Sequence, residues 1–260
     1  MEQIQTMMPQ INTERSYEEL LQMKVNAYNS RPGNLTGYDC SVCKNKGYIA
    51  KIKDGAEVLA ECKCYKIRDT LYHIHKSGLE EPLRRCTFRS FECSEQWQEK
   101  LKEKALQFLE KGKGSMFVGG QCGSGKTHIC TAVVGGFIKK GMSARYFVWR
   151  EDSTALKAIV NDKEYSAVLD SYKKTDVLYI DDLFKQTDIK DADIRLAFEL
   201  IDYRARNSLI TIISSERTLS ELVAIDEGLG SRIVDITSDA QINISRDKAR
   251  NYRLKERSRL

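Results

Sequence analysis

The spacing of apolar positions changes several times along this chain, and each change marks an element. "SYEELLQMKVNAY" carries a helical period from Ser16, and Glu19 stands three residues after that cap, where each group satisfies the other's orphan amide. The period stops at "NSRPGN". Residues 37–65 change to two short strand-like runs around Asp54-Gly55, which predicts a β-hairpin. Residues 66–93 read as a connection, with a helix near "IRDTLYHIHKSG" and then "CTFRSFEC", whose aromatics suit docking onto the unit that follows. From Ser94, "SEQWQEKLKEKALQFLEKGKG" places Trp97, Leu101, Ala105 and Phe108 on one helical face and ends on glycine.

Beyond that helix, strand and helix patterns alternate. Strands are predicted at 115–119, 144–149, 176–181, 209–214 and 242–245, with helices after Lys126, over 153–173, over 190–207 and after Thr218. The strands are continuously apolar, the pattern of a largely parallel sheet covered on both faces. The predicted fold is therefore α/β, a five-stranded parallel sheet preceded by a small helix-plus-hairpin module. The boundary is placed near residue 85, giving units 1–85 and 86–260.

Composition narrows the class. Apolar residues at 41% supply a packed core, and charged residues at 30% are too many for a membrane protein. No run approaches the roughly 20 apolar residues that span a bilayer, and "MEQIQTMMPQINTERSYEEL" has acids and amides where a secretory signal has an apolar core, so a cytoplasmic location is expected. The net charge of +5 is modest, so basic residues matter by location: "RDKARNYRLKERSRL" holds seven Lys or Arg against two acids, a tail suited to phosphates or simply a solvated face.

In such a compartment the eight cysteines read as thiols or metal ligands rather than disulfides. Cys40-x2-Cys43 and Cys62-x-Cys64 sit near turns at the two ends of the hairpin region, and four thiolates there would close a tetrahedral Zn2+ site of the zinc-ribbon kind. C-x-C is less usual than C-x2-C, so His73 or His75 stays open as a substitute ligand, and unrelated reduced thiols are the plainer alternative. Cys86, Cys93, Cys122 and Cys130 show no pairing pattern and read as packing or incidental thiols.

"GGQCGSGKTH" carries the sharpest chemistry. Gly120, Gln121, Cys122, Gly123, Ser124, Gly125, Lys126 and Thr127 fit G-x-x-x-x-G-K-[ST], after a strand and at the start of a helix that continues with His128. Glycines let backbone amides converge on a β-phosphate, the helix N-terminus adds its positive dipole, Lys126 reaches the β- and γ-phosphates and Thr127 ligates Mg2+. The second half of an ATP site requires an acid at the end of a neighbouring strand, and "VLYIDD" supplies Asp181, to hold Mg2+ through water, and Asp182, to orient or deprotonate the attacking water. Two acids after a strand are more often a cap or turn; the phosphate loop changes that weighting. Arg232, in "GLGSRIVD", lies past the strand "LITIIS", where an arginine is ordinarily just solvated.

The combination of a zinc-type module with "MFVGGQCGSGKTHICTAV", "VLYIDDL", "ITIISSE", "GLGSRI" and "ARNYR" resembles the bacterial and phage replicative helicase loaders of the DnaC and DnaI type, and the related IstB transposition helpers, all AAA+ ATPases. The resemblance covers 86–260 well and rests over the N-terminal part on the cysteine pairs. It implies an AAA+ P-loop fold, with Lys126 and Thr127 as Walker A and Asp181 and Asp182 as Walker B. "SSE" at 214–216 stands where loaders commonly carry Thr-Ser-Asn, so the sensor-1 asparagine position holds Glu216; Ser215 takes over the water, or hydrolysis is slow. Arg232 matches the arginine finger that reaches a neighbouring subunit, and Arg253 matches sensor 2, with Arg250 the near alternative. The partners implied are a hexameric replicative helicase gripped by the N-terminal module, single-stranded DNA, and further copies of this chain in an ATP-dependent spiral. Lys157, Lys163, Lys173 and Lys174 in the 150–175 insertion are the implied DNA contacts. Rival readings are the IstB-type helper of a transposase, a sequence-specific zinc DNA-binding protein, and a small-molecule kinase. No lid or substrate-binding arginine cluster supports the last.

Overall fold

The computed structural model describes residues 16–76 and 80–257, and the chain divides into two compact units between Arg68 and Asp69. The division precedes the boundary expected near residue 85, because Leu83, Phe88 and Phe91 of the connecting segment pack on the core of the larger unit.

In the smaller unit, helix α1 (Tyr17–Ser30) carries the expected capping box: Ser16 N–H donates to Glu19 Oε2 at 3.0 Å and Glu19 N–H to Ser16 Oγ at 3.2 Å. Its buried face is small, Leu21 and Val25. Strands β1 (Tyr48–Lys53) and β2 (Ala56–Glu61) pair antiparallel with Lys53 opposite Ala56. Asp54 and Gly55 between them both have positive φ, 52° and 73°, the backbone whose twist suits a two-residue hairpin. Lys44 and Lys46 donate to the carbonyls of Ser30, Asn29 and Arg31, satisfying the orphan acceptors at the C-terminus of α1. Helix α2 (Cys64–Lys76) crosses the division.

The larger unit contains α3 (Glu80–Arg85), α4 (Gln96–Lys111), β3 (Ser115–Gly120), α5 (Lys126–Lys139), β4 (Ala144–Val148), α6 (Trp149–Ala158), α7 (Tyr165–Lys174), β5 (Val177–Asp181), α8 (Asp191–Arg206), β6 (Ile210–Ser215), α9 (Leu219–Ile225), α10 (Glu227–Ile236), β7 (Gln241–Ile244), a 3-10 turn (Lys248–Arg250) and α11 (Tyr252–Arg257). Its five strands are all parallel, in the order β4-β5-β6-β3-β7. Met116 and Val118 of β3 join Ile129 and Val133 of α5 on one face, while Phe117 joins Leu200 of α8 and Ile233 of α10 on the other. Both faces of β3 are thus dry, which is why its sequence does not alternate.

Two expected helices are each broken into two. The stretch 153–173 divides into α6 and α7 at the polar run 161–164, and α6 starts earlier, at Trp149, directly off β4. After Thr218, whose capping box with Glu221 opens α9, Asp226 accepts from Leu229 N–H at 2.7 Å and starts α10. Among the described residues, no helix is long and apolar enough to cross a membrane.

Candidate nucleotide site and cysteine cluster

The phosphate loop joins β3 to α5 at the C-terminal edge of the sheet, the edge where open α/β sheets bind ligands. Gly120 has φ 106°, and a Cβ there would stand 2.0 Å from the Ile244 carbonyl of β7. Gly120→Ala is therefore expected to cost about 2–5 kcal/mol from strain and overlap together. A thermal melt checks this: the midpoint falls, and the rise on adding ATP disappears. Lys126 is buried beneath the loop, its Nζ donating to the carbonyls of Gly120 at 3.0 Å and Gln121 at 2.7 Å. Burial lowers its pKa, against the pull of Asp182 and Glu216. Ser124 Oγ donates to Gln121 O at 2.8 Å. His128 turns to the connecting segment instead: its Nε2 lies 3.0 Å from the Thr87 carbonyl and its ring meets Phe91 edge-on at 5.3 Å.

Asp181, at the end of β5, meets the loop. Its Oδ1 accepts from Thr127 Oγ1 at 3.2 Å, Tyr179 OH at 2.5 Å and Ser214 Oγ at 2.6 Å. Burial raises its pKa, while the Ser214 and Tyr179 hydroxyls work the other way. Asp182 sits at φ 56° in the turn that follows; its N–H donates to Ser214 Oγ at 3.0 Å and its Oδ2 pairs with Lys185 Nζ at 2.5 Å. Ser214 rather than Ser215 therefore touches both acids. Successive side chains on a strand point to opposite faces, and Ser215 consequently donates to the Leu183 carbonyl at 2.7 Å and accepts from Arg217 N–H. Glu216 lies on an open pocket of about 250 Å³ shared with Gly120, Gln121, Cys122, Lys185 and Arg246.

The arginines separate. Arg232 on α10 pairs at 3.0 Å with Asp202 of α8, which Arg206 also holds, and it does not line that pocket. Arg250 lies over the Trp97 ring at 5.6 Å and donates to Ser245 Oγ. Arg253 is exposed, but its charge is felt at the loop: burial raises the Cys122 thiol and Glu216 adds to that, while Arg253 and Lys126 oppose. The segment before it is bonded to the loop, Asp247 N–H to Gln121 Oε1 at 2.9 Å and Tyr252 N–H to Gly123 O at 2.9 Å. Of the four insertion lysines, three are paired with acids, Lys157 with Asp193 at 2.5 Å, Lys173 with Glu199 at 2.5 Å and Lys174 with Asp170 at 2.7 Å, so the insertion presents no continuous basic stripe.

A loop that encloses a lysine and abuts a strand-end aspartate is an ATP-site architecture, and the model of the IstB-like ATP binding protein family matches residues 80–260. The chain belongs to that family. Among relatives of this IstB-like protein, the phage-like element PBSX protein XkdC of Bacillus subtilis is 31% identical over 239 residues, 85% of this chain and 86% of that one. The replicative helicase loader DnaC of Escherichia coli is 23% identical over 166 residues, 62% of this chain and 66% of that one. A crystal structure of the DnaC helicase loader superposes with a TM-score of 0.57 at 21% identity, covering 64% of this chain and 99% of that one. The shared fold is that of an AAA+ domain.

The second site is in the smaller unit. Cys40, Cys43, Cys62 and Cys64 are buried, carry free thiols, and bring all four sulfurs within 4.8 Å of one another, with Cys40–Cys62 at 3.8 Å and Cys43–Cys64 at 3.3 Å. Zn–S bonds of about 2.3 Å in a tetrahedron put sulfurs about 3.8 Å apart, so the cluster has the size to hold a metal such as zinc. Burial alone would raise the Cys43 thiol, but the Gly47 amide and the Cys64, Cys40 and Cys62 sulfurs bring it down to about 6, while burial pushes Cys64 up to about 12. His75 is outside the cluster, mostly exposed and 3.1 Å from Glu80, and the side chain of His73 lies outside the described residues.

Tyr179, Ser214, Lys185 and Arg246 join the site without being marked by any of the motifs above. Lys185 and Ser214 were within reach, three residues after the acid pair and at the end of a strand; Tyr179 and Arg246 carried no signal, being one apolar-run aromatic and one of many tail arginines.

Proposed function

We propose that the chain is an Mg2+-dependent ATPase that binds a hexameric replicative helicase and delivers it onto single-stranded DNA. The observation that carries this reading is the pairing of a four-cysteine module with an ATP-binding AAA+ unit in one chain. Thr127 and Asp181, 3.2 Å apart, would hold Mg2+; Lys126 would hold the β- and γ-phosphates, and Asp182 the attacking water. Zn2+ would hold the module together through Cys40, Cys43, Cys62 and Cys64. ATP favours one state and ADP the other, so hydrolysis shifts the chain between gripping and release rather than making a product. Arg232 would act across a subunit contact, with Asp202 keeping it aimed, and Arg253 rather than Arg250 would sense the nucleotide.

The IstB-like family match favours a second reading, an ATPase helper of a DNA transposase. Native mass spectrometry of the full chain with the replicative helicase of its own host or phage separates the two. A stoichiometric complex in ATP and Mg2+ that weakens in ADP, and is lost in a Cys40→Ser/Cys64→Ser variant, supports the loader. No complex in either nucleotide, with ATP still bound, overturns it in favour of the transposase helper.

A further inference from the structure

Lys185 is the cation that the chemistry above leaves without a role. The turn that carries it is fixed: Asp182 and Phe184 sit at φ 56° and 54°, Leu183 N–H donates to Ser214 O at 2.9 Å, and Phe184 is buried edge-on to Trp149 at 5.2 Å. Arg217 Nε straps the turn further, donating to the Phe184 carbonyl at 3.0 Å. The backbone at Lys185 is therefore held, while its side chain, 42% exposed, keeps a free stem. Its ammonium stands 2.5 Å from Asp182 Oδ2 and 3.8 Å from Glu216 Oε1, on the same pocket as Gly120, Gln121 and Cys122, the first half of the phosphate loop.

Charge decides what this arrangement can do. Asp181, Asp182 and Glu216 surround the end of the loop, and the terminal phosphate of a nucleoside triphosphate adds about two further negative charges beside them. Lys126 sits under the loop on the carbonyls of Gly120 and Gln121. The other cations of the pocket are engaged, Arg217 with the Phe184 and Gln186 carbonyls and Arg246 with Glu221 at 2.6 Å. Lys185 is the cation that shares this pocket with the first half of the phosphate loop and is held there only by carboxylates, and an ammonium, a point charge with three donors, can exchange a carboxylate for a phosphate oxygen without losing its second partner.

We propose that Lys185 is a ligand for the terminal phosphate, supplied by this chain to its own nucleotide: it leaves Asp182 for the triphosphate, stays tethered by Glu216, and so frees Asp182 to hold water. With ADP it has no such competitor and stays on Asp182. The inference rests on the ATP-binding reading of this site.

Displacement of a fluorescent ADP analogue, with Mg2+, by ADP and by a non-hydrolysable ATP analogue tests it on the full chain and on Lys185→Met and Lys185→Arg. Expected for Lys185→Met is a loss of triphosphate affinity of about ten- to a hundredfold, the worth of one charge-assisted contact, with ADP affinity unchanged and turnover reduced. Lys185→Arg restores most of the triphosphate preference. Equal weakening of both nucleotides overturns the proposal, as does an unchanged preference with faster turnover, which would make Lys185 only a restraint on Asp182. A wild-type chain that binds neither nucleotide overturns the ATP-binding reading and this inference with it.

Discussion

Treatment with a metal chelator, or replacing Cys43 with alanine, is expected to unfold residues 16–68 while the ATPase unit stays folded. The smaller unit has little else to hold it. Its buried apolar side chains outside the cysteines are few, among them Leu21 and Val25 on α1, Ala50 on β1 and Ile67 on α2, and its hairpin is largely exposed. Units of this size bury too small a fraction of their surface to be more than marginal on their own. A structural Zn2+ contributes about 10–16 kcal/mol in comparable modules, as large as the whole net stability of a typical domain, about 5–15 kcal/mol, so its loss cannot be absorbed. The larger unit is built differently, with five paired strands and two dry faces. Hydrogen exchange before and after chelation checks the expectation: amides of α1, β1 and β2 lose protection together, and those of β3, β5 and β6 keep it. Retained protection in 16–68 after elemental analysis shows no metal would refute the dependence.

Arg204→Leu is expected to lower the stability of the ATPase unit by about 3–6 kcal/mol, the second largest effect. Arg204 is fully buried on α8, and its guanidinium faces main-chain oxygens rather than a carboxylate. Nη1 donates to the carbonyls of Tyr172, Lys173 and Thr175 at 3.0, 2.9 and 2.8 Å, Nη2 to Ile210 O at 2.6 Å, and Nε to Thr211 Oγ1 at 2.9 Å. One side chain thus closes the C-terminal end of α7 and pins it to the start of β6, satisfying carbonyls that the helix end leaves orphaned. Leucine has similar bulk but no donors, so several buried acceptors lose their partners, each at about 1–3 kcal/mol before the surroundings relax. Arg204→Lys keeps the charge without the planar fork and is expected to fall between. Urea unfolding followed at the ATPase unit measures both; a Leu variant within about 0.5 kcal/mol of wild type, the range of ordinary surface substitutions, would show that the carbonyls find other donors.

Both predictions turn on the difference between what one residue's neighbours along the chain announce and what the fold brings to it. Arg204 reads along the chain as an ordinary charge in the last turn of a helix, beside Arg206. Its partners come from residues 172–175 and 210–211, which no local pattern connects to it. The cysteine cluster is the opposite case. Its pairs lie at the two ends of a predicted hairpin, and folding that hairpin in the register Tyr48 opposite Glu61 brings Cys43 to Cys64.

The sequence by itself determined the parts whose physics is local. Capping boxes at Ser16 and Thr218, the glycines of the phosphate loop, the hairpin turn at Asp54-Gly55 and the five apolar strands each depend on residues a few positions apart, so backbone sterics and burial write them directly into the order of amino acids. The tertiary structure alone decided which serine of "SSE" touches the acids, because a strand's register sends neighbours to opposite faces. It decided that Lys157 and Lys173 are neutralised and that Arg232 is held by Asp202, because ion pairs between helices depend on packing, whereas the Lys174–Asp170 pair lies four residues apart on one helix. It also brought Lys185 and Glu216 together across the end of the sheet, since β5 and β6 meet only after the chain has made a full helix between them.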